Sequence, residues 1–124
     1  MRKGQTMKLY REKDNVFKFS DIYISDNLAK IAEESEDKKS IVDGFIAKFL
    51  AGDWGSVSRD EALANNDAKF FSGGKFMRGR YIAFDKKVVL DTMCDITVIY
   101  FDSDELGENI QELRAEQQRK RRRF

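Results

Sequence analysis

Histidine and proline are both absent from the 124 residues, and there is one cysteine and one tryptophan. Each scarcity excludes something. Without histidine the chain lacks the commonest general base and the commonest metal ligand. A hydrolase or metalloenzyme would have to rest on carboxylates, lysine or Cys94. Carboxylates abound, but no pair stands at a spacing that suggests paired acid–base work. Enzyme is therefore the minority reading, and no cofactor, metal or small-molecule ligand is expected. A lone cysteine forms no internal disulfide and fits a reducing cytoplasm. No stretch approaches the ~20 apolar residues of a membrane span. The basic N-terminus "MRKGQTMKLYREKD" is followed by no apolar run, so it does not read as a secretory signal.

Apolar residues make up 41% and charged residues 36%, which suits one globular domain with a core that needs no disulfide or metal. The net charge of +1 conceals a division. Residues 1–113 hold 17 Lys/Arg against 21 Asp/Glu, whereas residues 114–124, "RAEQQRKRRRF", hold six basic residues and one acid. A mildly acidic body carries a strongly basic end.

With no proline, helix boundaries are read from caps and glycines. Residues 16–24, "VFKFSDIYI", alternate as a strand does, with Phe17, Phe19, Asp21 and Tyr23 on one phase and a bulge or turn near Ser20. Ser25 caps a first helix with Leu28, Ile31 and Ala32 on its apolar side, and "EESEDKK" follows as a solvated connection. Ser40, with Asp43 three residues on, opens a second helix whose buried face is Ile41, Phe45, Ile46, Phe49 and Leu50. Gly52 ends it. Ser58 and Glu61 form a capping box for a third helix, which runs past Leu63 and Phe70 to Gly73 and Gly74, with polar Asn66 and Asp67 on the Leu63 face.

The period then changes to two. "KFMRGRYIAF", "KVVLDTM" and "ITVIYF", joined at Asp85-Lys86 and Cys94-Asp95, predict a three-stranded antiparallel meander. A polar helix with Ile110 and Leu113 leads into the basic end. The expected fold is α+β: one N-terminal strand, three helices, the meander, then the polar helix and tail. Residues 1–15 read as a polar segment, 16–104 as one domain and 105–124 as helix and tail.

"AGDWGS" at 51–56 is the most distinctive stretch. Gly52 and Gly55 bracket Trp54, a pattern for a helix–helix corner in which Trp54 is buried, its indole N–H finds an acceptor and Asp53 takes backbone N–H groups. "GDWG" followed by "DEALANNDA" at 60–68 resembles small GDWG-motif proteins encoded on plasmids and phages of Gram-positive bacteria. The resemblance spans roughly residues 16–104 as an order of elements and is specific at Gly52, Asp53, Trp54, Gly55, Asn66 and Asp67. That group carries an acidic-Asp-Arg-Ser run before its last strand. Here "LDTMCDITV" lacks the Arg and Ser, so no role of that run carries over. The resemblance implies a mobile-element accessory protein, such as an inhibitor of the anti-CRISPR kind. A hydrogen-bonded cluster of Trp54, Asn66 and Asp67 would account for both the motif and the polar helix face.

Three surfaces are candidates for partners. Arg119, Lys120, Arg121, Arg122 and Arg123 form a phosphate-seeking run or a solubilising end. Arg78 and Arg80 lie on one phase of a strand beside Phe76 and Ile82, suited to nucleic-acid or nucleoprotein contact or to cross-strand pairing with Asp91 or Asp95. Glu33, Glu34, Glu36 and Asp37 form an acidic run that usually just solvates a loop. "GGKF" at 73–76 lacks the spacing of a phosphate loop. The expected partner is a host nuclease or nucleoprotein complex, with nucleic acid through the tail as the alternative and no membrane contact.

Overall fold

The computed structural model describes residues 7–12, 21–71, 77–93 and 96–104. They form an α+β unit in the order β1 (Met7–Tyr10), β2 (Asp21–Ser25), α1 (Asp26–Ala32), α2 (Glu36–Leu50), α3 (Arg59–Phe71), β3 (Arg78–Ala83), β4 (Lys86–Met93) and β5 (Ile96–Phe101). Phe17, Phe19, Ser20, Gly73, Gly74, Phe76, Cys94, Asp95, Ile110, Leu113 and the run at 119–123 lie outside the described residues.

All five strands join one mixed sheet in the order β1-β2-β5-β4-β3. The expected three-stranded antiparallel meander is corrected here to part of a five-stranded mixed sheet. β3, β4 and β5 pair antiparallel in sequence, but β5 then pairs parallel with β2, and β1 adds antiparallel outside β2. Sequence periodicity reports a strand's two faces and says nothing of its lateral neighbours, so the parallel junction was not legible. β1 was missed because four residues, "MKLY", give too short a pattern inside a polar segment.

Cross-strand register puts Ile22, Ile24, Tyr81, Val88, Leu90, Ile99 and Phe101 on one face. There they pack in a single core with Leu28, Val42, Phe45, Ile46 and Phe49 of the helices. The buried phase of β2 is thus Ile22 and Ile24, while Asp21 and Tyr23 point to the other face, the reverse of the expected phase. Val89, Ile96 and Val98 are also buried, so the centre of the sheet is covered on both faces. Such a strand reads as the unbroken apolar run "ITVIYF".

The helices begin at serines. Ser25 Oγ accepts the N–H of Leu28 at 3.4 Å and Ser35 Oγ that of Lys38 at 3.1 Å. α2 therefore starts five residues before the expected Ser40 cap. Glu36 and Asp37 favour the positive end of the helix dipole, so the second half of the acidic run opens a helix, while Glu33 and Glu34 form the turn after α1. Asp43 is taken up elsewhere: the Tyr10 hydroxyl donates to it, and Lys39 Nζ lies 3.1 Å from its carboxylate, tying the end of β1 to α2. On α2, Val42 is buried where Ile41 was expected, and Ile41 is exposed.

Candidate functional site

α2 ends in a complete left-handed cap. The Gly52 N–H donates to the Phe49 carbonyl at 3.2 Å and the Asp53 N–H to the Lys48 carbonyl at 2.9 Å, with Gly52 at φ +83°. Lys69 Nζ, reaching across from α3, donates to the Leu50 carbonyl at 3.2 Å and adds a cation at the negative end of that helix. The chain then turns so that Trp54 faces inward. Only 5% of Trp54 is exposed. Its ring meets Phe49 edge-on with centroids 5.1 Å apart, and its Nε1–H donates to Asn66 Oδ1 at 3.3 Å. Asp53 Oδ1 accepts the Gly55 N–H at 3.2 Å, closing the turn, and the Asp53 carbonyl accepts the Tyr81 hydroxyl at 2.9 Å.

The corner does more than join two helices. Gly55 bridges in parallel to Arg80 of β3: the Arg80 N–H donates to the Trp54 carbonyl at 2.9 Å, and the Ser56 N–H donates to the Arg80 carbonyl at 2.7 Å. Gly55 has φ +73°, and a Cβ there would stand 2.0 Å from the Arg80 carbonyl oxygen. One glycine of the motif ends a helix and the other lets the backbone touch a strand.

Asn65, one residue before the motif's asparagine, completes the contact. Its Nδ2 donates to the Arg78 carbonyl at 2.7 Å and its Oδ1 accepts the Arg78 N–H at 2.8 Å, so the side-chain amide acts as a peptide group beside the strand. Asn65 is buried, whereas Asn66, Asp67 and Leu63, at 54% exposure, lie outward. The inner face of α3 is thus Ala62, Asn65, Ala68 and Lys69, not the Leu63 face. The spacing of small residues around Asn65 was the available signal, and the weight given to Leu63 hid it. Asp67 is exposed and has no described bond to the corner, so the expected three-residue cluster contains Trp54 and Asn66 only.

The two arginines of β3 point to the same face and are both held internally. Arg78 Nε and Nη2 grip Asp91 Oδ1 and Oδ2 at 2.6 and 2.9 Å, a two-pronged pair with the cross-strand neighbour. The Tyr100 hydroxyl donates to the same carboxylate at 2.7 Å. The Asp91 bond holds the Arg78 charge still more firmly than usual. Arg80 Nε lies 3.3 Å from both oxygens of Glu61, which also gives its N–H to Ser58 Oγ at 3.1 Å, the helix cap expected for α3. A cleft of about 310 Å³ beside this row is lined by Glu61, Asn65, Arg78 and Asp91, two carboxylates against one guanidinium. Burial, with the charge of Asp53 and of Asp91 respectively, pushes the Tyr81 and Tyr100 hydroxyls well above the ordinary tyrosine range.

No family model, curated protein or solved structure matches the chain. Among the described residues no His, Cys, Asp or Glu group could hold a metal ion, and no helix is long and apolar enough to cross a membrane.

Proposed function

We propose that the chain is a non-enzymatic accessory protein of a phage or plasmid. It acts in the cytoplasm as a stoichiometric inhibitor of a host nuclease defence system, of the anti-CRISPR kind. One observation carries this reading: Arg78 and Arg80 are committed to Asp91 and Glu61 within the fold. The run at 119–123 is then the sequence's remaining concentration of positive charge, set on a body with more acids than bases. Such a molecule is repelled from naked nucleic acid by its body and drawn to phosphates by its end. A nucleoprotein, which offers basic protein surface and phosphate together, satisfies both. The resemblance at Gly52–Gly55 supplies the mobile-element setting.

The test compares binding to a host nuclease–nucleic-acid complex and to naked duplex at matched ionic strength. Binding to the complex is expected to be tighter and to survive nuclease treatment of a lysate pull-down. Replacing Arg121, Arg122 and Arg123 with Ser is expected to flatten the salt dependence, each phosphate contact contributing a log–log slope of about −0.9 on duplex DNA. Binding of equal strength to naked duplex would favour the second reading, a nucleic-acid-binding accessory protein. The tail supports that reading; the Arg78/Arg80 strand adds less to it, because Asp91 and Glu61 each take up part of a guanidinium group.

A further inference from the structure

Val89, Ile96 and Val98 stand on the sheet face opposite the helices. Register sets Val98 beside Tyr23 and Asp91, Ile96 beside Asp21, and Val89 beside Arg80 and Tyr100. Val89 is 2% exposed and the other two 0%. Among the described residues, the apolar cluster that joins the sheet to the helices includes none of the three. A valine or isoleucine on an open sheet face keeps part of its side chain in water, because its cross-strand neighbours stand beside it and not over it. Chain must therefore lie over the middle of this face. The cover is narrow. On the same face Leu9 of β1 is 47% exposed and Ile82 of β3 is 68% exposed. The covered strip is about two strands or roughly 10 Å wide, the width of one helix.

We infer that the outer face of β4 and β5 is the docking surface for this chain's own residues 105–118, which thereby anchor the basic run at 119–123 to the sheet. The described chain ends at Asp104, three residues past β5, and twenty residues follow. The Asp104 carboxylate accepts the Ser25 hydroxyl at 2.7 Å, the Asn27 amide at 2.8 Å and the Phe101 N–H at 2.9 Å. The continuation therefore starts from a fixed point at the Phe101 end of β5. In helical spacing Leu106, Ile110 and Leu113 share one face, at i, i+4 and i+7, and span roughly 10 Å along the axis. By strand geometry Val89 and Ile96 are about 14 Å apart, so a helix folded back over β5 covers the ground between them. Residues 13–20 hold the apolar Val16, Phe17 and Phe19, but they join β1 to β2 beside Ile96. Both their ends are tethered roughly 16 Å from Val89. Fourteen helical residues measure about 21 Å, enough to pass the whole of β5, so the basic run leaves the body at the Ile96 end of the sheet.

The first test needs no variant. In the full chain with labelled Ile, Leu and Val methyl groups, nuclear Overhauser contacts are expected from Val98 and Ile96 to Ile110 and Leu113. Contacts to Val16 in their place, or none to any residue past 104, would overturn the inference. So would contacts seen only between differently labelled copies in a mixed sample, which would put a second molecule on the face. Urea midpoints give the second test. Ile110→Asp places a charge against the sheet and is expected to lower the midpoint. Ala115→Asp places the same charge on the far side of the helix and is expected to leave the midpoint nearly unchanged. Ending the chain after Gln118 is expected to keep the wild-type midpoint, and ending it after Asp104 to lower it or to abolish folding. Equal midpoints for the two Asp variants, or for the two shortened chains, would show that residues 105–118 do not cover the sheet.

Discussion

At Gly55 and Gly52 two positive-φ glycines sit three residues apart for different reasons, and substitution separates them. A Cβ on Gly52 meets only Lys69 Nζ at 3.9 Å, so Gly52→Ala is expected to cost the ~1–2 kcal/mol of a left-handed backbone. A Cβ on Gly55 lies 2.0 Å from a carbonyl oxygen and 2.8 Å from the Tyr81 ring, so Gly55→Ala is expected to cost clearly more. Urea midpoints of the two variants check the order; equal losses would mean that the bridge to Arg80 contributes nothing. Trp54→Ala removes a ring packed on Phe49 and is expected to cost ~3–5 kcal/mol by the same measurement. Trp54 emission in the wild type is expected to be blue-shifted and poorly quenched.

At the scale of elements, the β3–β4 connection stores strain. Phe84 and Asp85 have φ of 55° and 59°, the mirror-image geometry that suits a two-residue hairpin and that glycine and asparagine adopt most readily. Phe84 is repaid by packing on the core cluster. Asp85 is exposed, so Asp85→Gly is expected to stabilise by ~0.5–1 kcal/mol, after the entropy that glycine loses on folding. A melting temperature that fails to rise by a few degrees would contradict it. α3 is an element of another kind. Of its side chains described, only Asn65 is buried, and the helix is held to the sheet by Asn65 and the Glu61–Arg80 pair. Asn65→Ala leaves the Arg78 N–H and carbonyl without those partners and is expected to cost ~1–3 kcal/mol. Amides of α3 are expected to exchange faster than those of α2, whose buried face carries Val42, Phe45, Ile46 and Phe49.

For the whole molecule, pH acts through its buried phenols. Tyr10, Tyr81 and Tyr100 all have raised pKa values, with burial the largest cause in each. The folded state keeps protons that the unfolded chain releases near pH 10, so unfolding gains there. The contribution of these tyrosines is fully present below about pH 10 and is lost as pH rises from there toward their folded values. Urea midpoints are expected to fall above that pH, and phenolate absorbance to appear together with unfolding. Tyr81→Phe is expected to lessen the slope by up to ~1.4 kcal/mol per pH unit, one proton's worth. Midpoints that hold level to pH 11.5 would show that the phenols ionise without opening the fold.

Local signals were legible wherever one residue's own chemistry decides the outcome. Ser25 and Ser58 cap helices because a short hydroxyl can reach a free N–H, and Gly52 ends α2 because it has no Cβ. The pairing of Arg78 with Asp91 was open as an alternative because two strands joined by a short turn leave few registers. What the tertiary structure alone decided was adjacency between distant segments. The parallel contact of β2 with β5 joins residues more than seventy positions apart, and nothing in either strand's alternation names its neighbour. Asn65 and Asn66 stand next to each other in the chain with the same chemistry, yet one clamps a strand and the other caps an indole. A helix turns about 100° per residue, so which asparagine meets the strand depends on where the sheet edge lies. That edge is set by the packing of the whole chain.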